Sequence, residues 1–184
     1  MAQRLLVVAH GPTAGAREAI FGDSGYLVDA AAIYPVAARV VWWRHGPEPA
    51  SAETAARLGG PGEAMPRLGT CDFGSWTGRS LADVGAEDPE AVGHWLTNAH
   101  AKPHGGESLS ELISRVGAAV DETAWPDGQS IVVVCPLVAQ ALVVHALEGP
   151  SEMIFRIDVA PLGRVKLSRS RDSWRLRFDR AVDL

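Results

Sequence analysis

Three short, unbroken apolar runs constrain the fold more than any other feature. They are Arg4 to Ala9 (RLLVVA), Ala37 to Trp43 (AARVVWW) and Ser130 to Cys135 (SIVVVC). The first is stopped by Gly11-Pro12, the second by Gly46-Pro47 and the third by Pro136. A strand with one wet face alternates apolar and polar residues; a continuous apolar run marks a strand covered on both faces, the parallel-sheet pattern. Helical patterns lie between the runs. Ser51 to Leu58 is Ala-rich, and Glu107 to Thr123 places Leu109, Leu112, Ile113, Val116 and Val120 on one face. Leu137 to Leu147 is apolar nearly all round, which predicts a buried helix. Arg164 to Ser168 and Trp174 to Phe178 alternate around Ser170-Arg171-Asp172 and predict an antiparallel hairpin. Strands alternating with helices predict a three-layer α/β sandwich on a mostly parallel central sheet.

In such sheets ligands bind beyond the carboxyl ends of the strands. Here those ends are Ala9-His10, Trp43-Arg44-His45 and Val134-Cys135. The stretch from about residue 65 to 104, rich in Gly, Pro and Asp, predicts a lid-like insertion of short helices and loops over one end of the sheet. At 184 residues, without repeat or linker, the chain reads as one domain over 1–184.

Composition excludes several function classes. The net charge of -5 gives no footprint for nucleic acid. The one basic patch, SRSRDSWRLRF, alternates like a strand and reads as a solvated edge. Cys71 and Cys135 form neither a disulfide framework nor a metal spacing. The apolar run from Ile131 to Leu147 is interrupted by Pro136, Gln140 and His145, so it reads as strand plus helix, not a membrane span. No signal peptide pattern precedes the first strand, so a cytoplasmic location is expected. No cofactor is expected. The expected partner is a small-molecule ligand or substrate, with no nucleic acid and no membrane.

An ordered set of motifs then narrows the reading. These are Ala9-His10-Gly11-Pro12-Thr13, Asp72-Phe73-Gly74-Ser75-Trp76-Thr77-Gly78, Asp88-Pro89 with Trp95, and Pro103-His104-Gly105-Gly106-Glu107-Ser108-Leu109 with Arg115. Ile131 to Gly149 closes the series. Together they resemble the histidine phosphatase superfamily, in its phosphoglycerate-mutase-like branch, over almost the whole chain. The resemblance resolves an ambiguity between two His-Gly-Pro segments. Counting from His10 leaves room for the elements the family places before FGxWxG, whereas counting from His45 does not. His10 therefore takes the position of the family nucleophile.

The resemblance implies a phosphohistidine chemistry, with two arginines and a second histidine holding phosphoryl oxygens and a carboxylic acid protonating the leaving group. This sequence departs from that set. Ala9 and Ala50 stand at the two arginine positions, and Thr70 at the acid position, with Asp72 close by. Cys135, or Pro136 after a one-residue slip, stands at the second histidine. The expected consequence is loss of phosphatase activity and a site repurposed for a non-phosphorylated molecule, with a non-catalytic binding or regulatory protein as the alternative. A conventional phosphatase or mutase ranks behind both.

The candidate catalytic residues are His10 and Cys135. If the fold brings them together, a Cys–His pair could generate a thiolate; a buried apolar filler is the competing reading for Cys135. Candidate ligand-binding residues are Thr13, Arg44, His45, His104 and Glu107. Arg44 and His45 either reach the pocket or lie at the surface before a turn, and Glu107 either lines the site or caps the following helix. Trp42, Trp43 and Trp76 form either an aromatic wall or core. His10, His45 and His104 match no metal spacing. Some members of the resembled family are homodimers, and no feature here decides that for this chain.

Overall fold

A computed structural model describes residues 3–28, 33–36, 39–170 and 173–178. In chain order its strands are β1 (Gln3–Ala9), β2 (Trp42–His45), β3 (Glu63–Ala64), β4 (Gly128–Val134), β5 (Arg164–Ser170) and β6 (Ser173–Arg177). Its α-helices are α1 (Ala14–Arg17), α2 (Pro49–Leu58), α3 (Leu81–Glu87), α4 (Pro89–Thr97), α5 (Leu109–Glu122) and α6 (Pro136–Ala146). The six strands form one sheet in the order β3-β2-β4-β1-β5-β6. β3, β2, β4 and β1 run parallel, and β5 and β6 are antiparallel additions.

The apolar runs are continuous because both faces of β1 and β4 are covered. Leu5, Val7, Ala9, Val132 and Val134 face the cluster built on α5 and α6. Leu6, Val8, Ile131 and Val133 face Ala55 and Leu58 of α2. That is the three-layer sandwich the runs predict.

Two expectations need adjustment. The second strand covers Trp42–His45, so the described residues 39–41 of the expected Ala37 to Trp43 run precede it, and Ala37 and Ala38 lie outside the described residues. Its partner β4 starts at Gly128, and Trp42 already sits opposite Ser130, so the earlier residues have little strand to pair with. The fifth helix starts at Leu109 because Ser108 and Glu111 close a reciprocal capping box. The hairpin of β5 and β6 forms as expected, with Arg171 and Asp172 of its turn outside the described residues. β6 is the sheet edge, where its arginines deter further strand pairing.

The 65–104 region contains α3 and α4 and is held by rings. Phe21 meets Phe73, Trp76 and Trp95 at centroid distances of 5.1, 5.0 and 5.4 Å. His104 adds its ring edge to Phe73 and Trp76 at 5.6 and 5.1 Å. The FGxWxG turn needs its glycine: Gly74 has φ +48, and a Cβ there would lie 2.2 Å from the His104 carbonyl oxygen. Gly74→Ala is expected to cost about 2–4 kcal/mol, from backbone strain plus an unrelievable backbone clash. Urea denaturation checks this; a loss under about 0.5 kcal/mol would contradict the packing described.

Candidate active site

The register of β1 and β4 builds the site. Ala9 lies opposite Val134, and the His10 amide donates to the Val134 carbonyl at 2.8 Å. The two chains therefore leave the sheet side by side, at His10 and at Cys135. Gly11 then donates to Thr54 Oγ1 of α2 at 3.0 Å, which ties the turn after β1 to the opposite layer. Thr13, fully buried, caps α1 by accepting from the Ala16 amide at 3.2 Å.

Beyond these strand ends is a cavity of about 280 Å³. His10, Thr13, Thr70, Cys135 and Asp23 supply its polar groups. Phe21, Phe73, Trp95, Leu81 and Leu137 are among its apolar walls, and none of the described lining residues is an arginine or lysine. The 65–104 region thus forms one wall through Thr70, Phe73, Leu81 and Trp95.

His10 is only 5% exposed, and its Nδ1 lies 2.7 Å from the Gly11 carbonyl oxygen. A carbonyl only accepts, so Nδ1 carries the proton and donates. In the neutral ring Nε2 then carries the lone pair. This arrangement suits a general base or a nucleophile.

Cys135 shares the pocket, at the N-cap of α6. Burial first, and then the charge of Glu48, push its thiol up to about 11, against smaller lowering contributions from Thr70 and the amides that open α6. The thiolate considered from the sequence is therefore not the resting form. Burial and Glu48 outweigh the lowering pull of the α6 N-terminus.

Glu48 was not recognised in the sequence. It is 5% exposed and accepts from the Thr70 amide at 2.6 Å. Ser51 Oγ donates to its other oxygen at 3.5 Å. The visible signal was an acid before a Pro-initiated helix, which reads simply as favourable to the helix N-terminus. Asp23 was missed as well. Its Oδ1 accepts from the Gly25 amide at 3.0 Å, the local bond that makes Asp-x-Gly a turn. Gly15 makes room for it, since a Cβ there would lie 2.3 Å from the Asp23 carboxyl carbon. Asp23 Oδ2 and Trp95 Nε1, both on lining residues, are buried without a hydrogen-bond partner among the described residues.

The other candidates stand elsewhere. Arg44 and His45 do not line the pocket. Arg44 lies 3.6 Å over the Trp42 ring and pairs with Glu63 at 3.2 Å. His45 repeats the His10 turn, with Nδ1 donating to the Gly46 carbonyl at 2.6 Å, but its strand ends one position lower against β4. Glu107 neither lines the pocket nor caps α5. It forms a two-pronged pair with Arg115, Nε–Oε1 2.7 Å and Nη2–Oε2 2.8 Å. Arg115 also donates to the carbonyls of Arg67, Gly69 and Thr70, which fixes the approach to the pocket. Trp42, Trp43 and Trp76 are not pocket walls; Phe21, Phe73 and Trp95 take that role. Among the described residues no three His, Cys, Asp or Glu side chains are grouped to hold a metal ion. No described helix is long and apolar enough to cross a membrane.

His104 packs beneath the pocket wall at 3% exposure, its Nδ1 accepting from the Gly106 amide at 3.1 Å. Burial pulls its pKa below the ordinary imidazole value, with Asp72 pulling the other way.

With this geometry in hand, the comparisons place the chain. The family model described as "Histidine phosphatase superfamily (branch 1)" matches residues 48–180, and the chain belongs to that superfamily. The match starts after β2, so β1 and His10 lie outside it. A mycobacterial glucosyl-3-phosphoglycerate phosphatase, solved in complex with VO3, superposes with a TM-score of 0.81 at 24% identity, over 96% of this chain and 98% of that one. The α-ribazole phosphatase of Shigella flexneri superposes at 0.79 with 18% identity, over 95% and 94%. At those identities the likeness establishes the fold. The bifunctional protein Rv2228c of Mycobacterium tuberculosis is 30% identical over 95 residues, half of this chain and 26% of that protein. The chain thus matches about a quarter of that curated relative's length.

Two predictions follow from the burial of these groups. Thiol-probe labelling of Cys135 is expected to be slow at pH 7 and to climb as pH approaches about 11; rapid labelling at pH 7 would contradict the site. For His104, the unfolded chain takes up a proton near the ordinary imidazole value of 6.5, which the folded chain resists. Its contribution to stability is full above that pH and drains as pH falls below it. His104→Asn, which keeps an acceptor for Gly106, is expected to flatten stability measured from pH 7 to 5; an unchanged slope assigns the loss to other groups.

Proposed function

We propose that this superfamily member has left phosphoryl transfer and binds or acts on a non-phosphorylated small molecule in the pocket around His10. The observation that carries the reading is the absence of any arginine or lysine from the described lining. Ala9 and Ala50, at the positions where the family resemblance calls for arginine, are 0% and 1% exposed, so neither site holds space for a guanidinium in this packing. Each lost donor to a developing phosphoryl charge costs about 3–4 kcal/mol in the transition state, though several losses do not simply add. Asp23 stands in the lining and Glu48 bonds the Thr70 amide, so both carboxylates oppose a dianion, while the Arg115 guanidinium at the Thr70 carbonyl is paired with Glu107.

Within this reading His10 serves as an acid–base group, because the Gly11 carbonyl fixes its tautomer and ring orientation. A binding-only role is favoured by one observation: the raised Cys135 thiol leaves His10 without an ionised partner for nucleophilic chemistry. The test is hydrolysis of p-nitrophenyl phosphate and the thermal shift with vanadate. The expected result is no turnover above that of His10→Ala and no stabilisation by vanadate. Turnover that disappears in His10→Ala overturns the proposal.

A further inference from the structure

We infer that the pocket selects an organic cation, a protonated amine carried on an apolar body. The inference rests on the reading above and adds the sign of the ligand's charge. Among the described residues that line the cavity, Asp23 is the one carboxylate. Asp23 Oδ1 is engaged by the Gly25 amide, whereas Oδ2 meets no donor among the described residues. An unpartnered buried carboxylate oxygen is expensive, and native structures rarely leave one without a purpose. Glu48 sits behind Thr70, and no ion pair neutralises Asp23 or Glu48 among the described residues. Both carboxylates therefore project negative potential into a cleft whose other walls are mostly apolar, where charge is poorly screened.

The walls suit the same ligand. Phe21, Phe73 and Trp95 all line the cavity. Aromatic faces attract cations, more strongly once water is excluded. An anion meets repulsion and no donor side chain of opposite charge. A neutral ligand fills the cavity but brings no charge to the carboxylate. A protonated amine supplies an N–H to Asp23, and with the His10 proton held on Nδ1 by the Gly11 carbonyl, Nε2 is the ring atom left to accept a second. The site thereby keeps the fold's pocket and inverts its charge preference.

The experiment compares three ligands of one shape on the full chain at pH 7: 2-phenylethylamine, 2-phenylethanol and phenyl phosphate, by calorimetry. The amine is expected to bind about tenfold or more tighter than the alcohol, as a charge-assisted hydrogen bond and a cation–π contact require. Phenyl phosphate is expected not to bind. Asp23→Asn, which retains an oxygen for the Gly25 amide, is expected to keep the melting temperature and abolish the preference for the amine. Equal or tighter binding of the alcohol overturns the charge assignment alone, as does a preference that survives Asp23→Asn or an amine that fails to bind at millimolar concentration. Tightest binding of phenyl phosphate overturns the non-phosphoryl reading together with it.

Discussion

The pairing of β1 with β4 is the constraint on which the site depends. Seven consecutive residues of β1 sit in parallel register with β4, from Gln3 opposite Gly128 to Ala9 opposite Val134. Parallel pairing places both carboxyl ends at the same edge of the sheet. His10 and Cys135 reach that edge together only because neither strand slips; a one-residue shift would exchange every side chain between the two layers. The two helix layers enforce the register from both sides. Leu5 and Val7 need the α5–α6 layer, and Leu6 and Val8 need α2. The pocket is thus a consequence of core packing, and it persists whatever chemistry its walls carry.

That independence explains how one fold can keep its cavity while its charges change. The wall is positioned by contacts within the protein. The Arg115–Glu107 pair grips three carbonyls of the 67–70 segment, Glu48 takes the Thr70 amide, and the ring cluster around Phe21 sets Phe73 and Trp95. None of these contacts requires an anion in the pocket. Ala9 shows that a small residue at a buried strand end fits such a frame. The frame and the chemistry are then free to diverge, which is why likeness to the solved structures establishes the fold and not the reaction.

The same separation governs what could be read from the sequence. The sheet and its layers were legible because a doubly covered strand must be apolar without interruption, and RLLVVA and SIVVVC both obey that rule. His10 was legible because it follows such a strand directly. Glu48 and Asp23 were not, since their roles come from contacts across 22 residues in one case and from a turn with local hydrogen bonding in the other. Arg44 and His45 were misplaced for a related reason. They end a strand at the right edge, but β2 lies two strands from β1, with β4 between them, and the Trp42 ring and Glu63 capture the guanidinium. Sequence order identified strand ends; lateral position in the sheet decided which of them reach the cavity.

His45 makes the point sharply, because its local structure copies that of His10. Both histidines precede Gly-Pro, and both donate Nδ1–H to the carbonyl of that glycine, at 2.7 Å for His10 and 2.6 Å for His45. Local sequence therefore dictates the tautomer and ring orientation at both places. Only tertiary placement separates them. His10 continues past the last β1–β4 pair into the cavity, whereas His45 is still paired with Val133 inside the sheet. A motif of three residues can preorganise an imidazole, but two more rungs of ladder decide whether that imidazole has anything to act on.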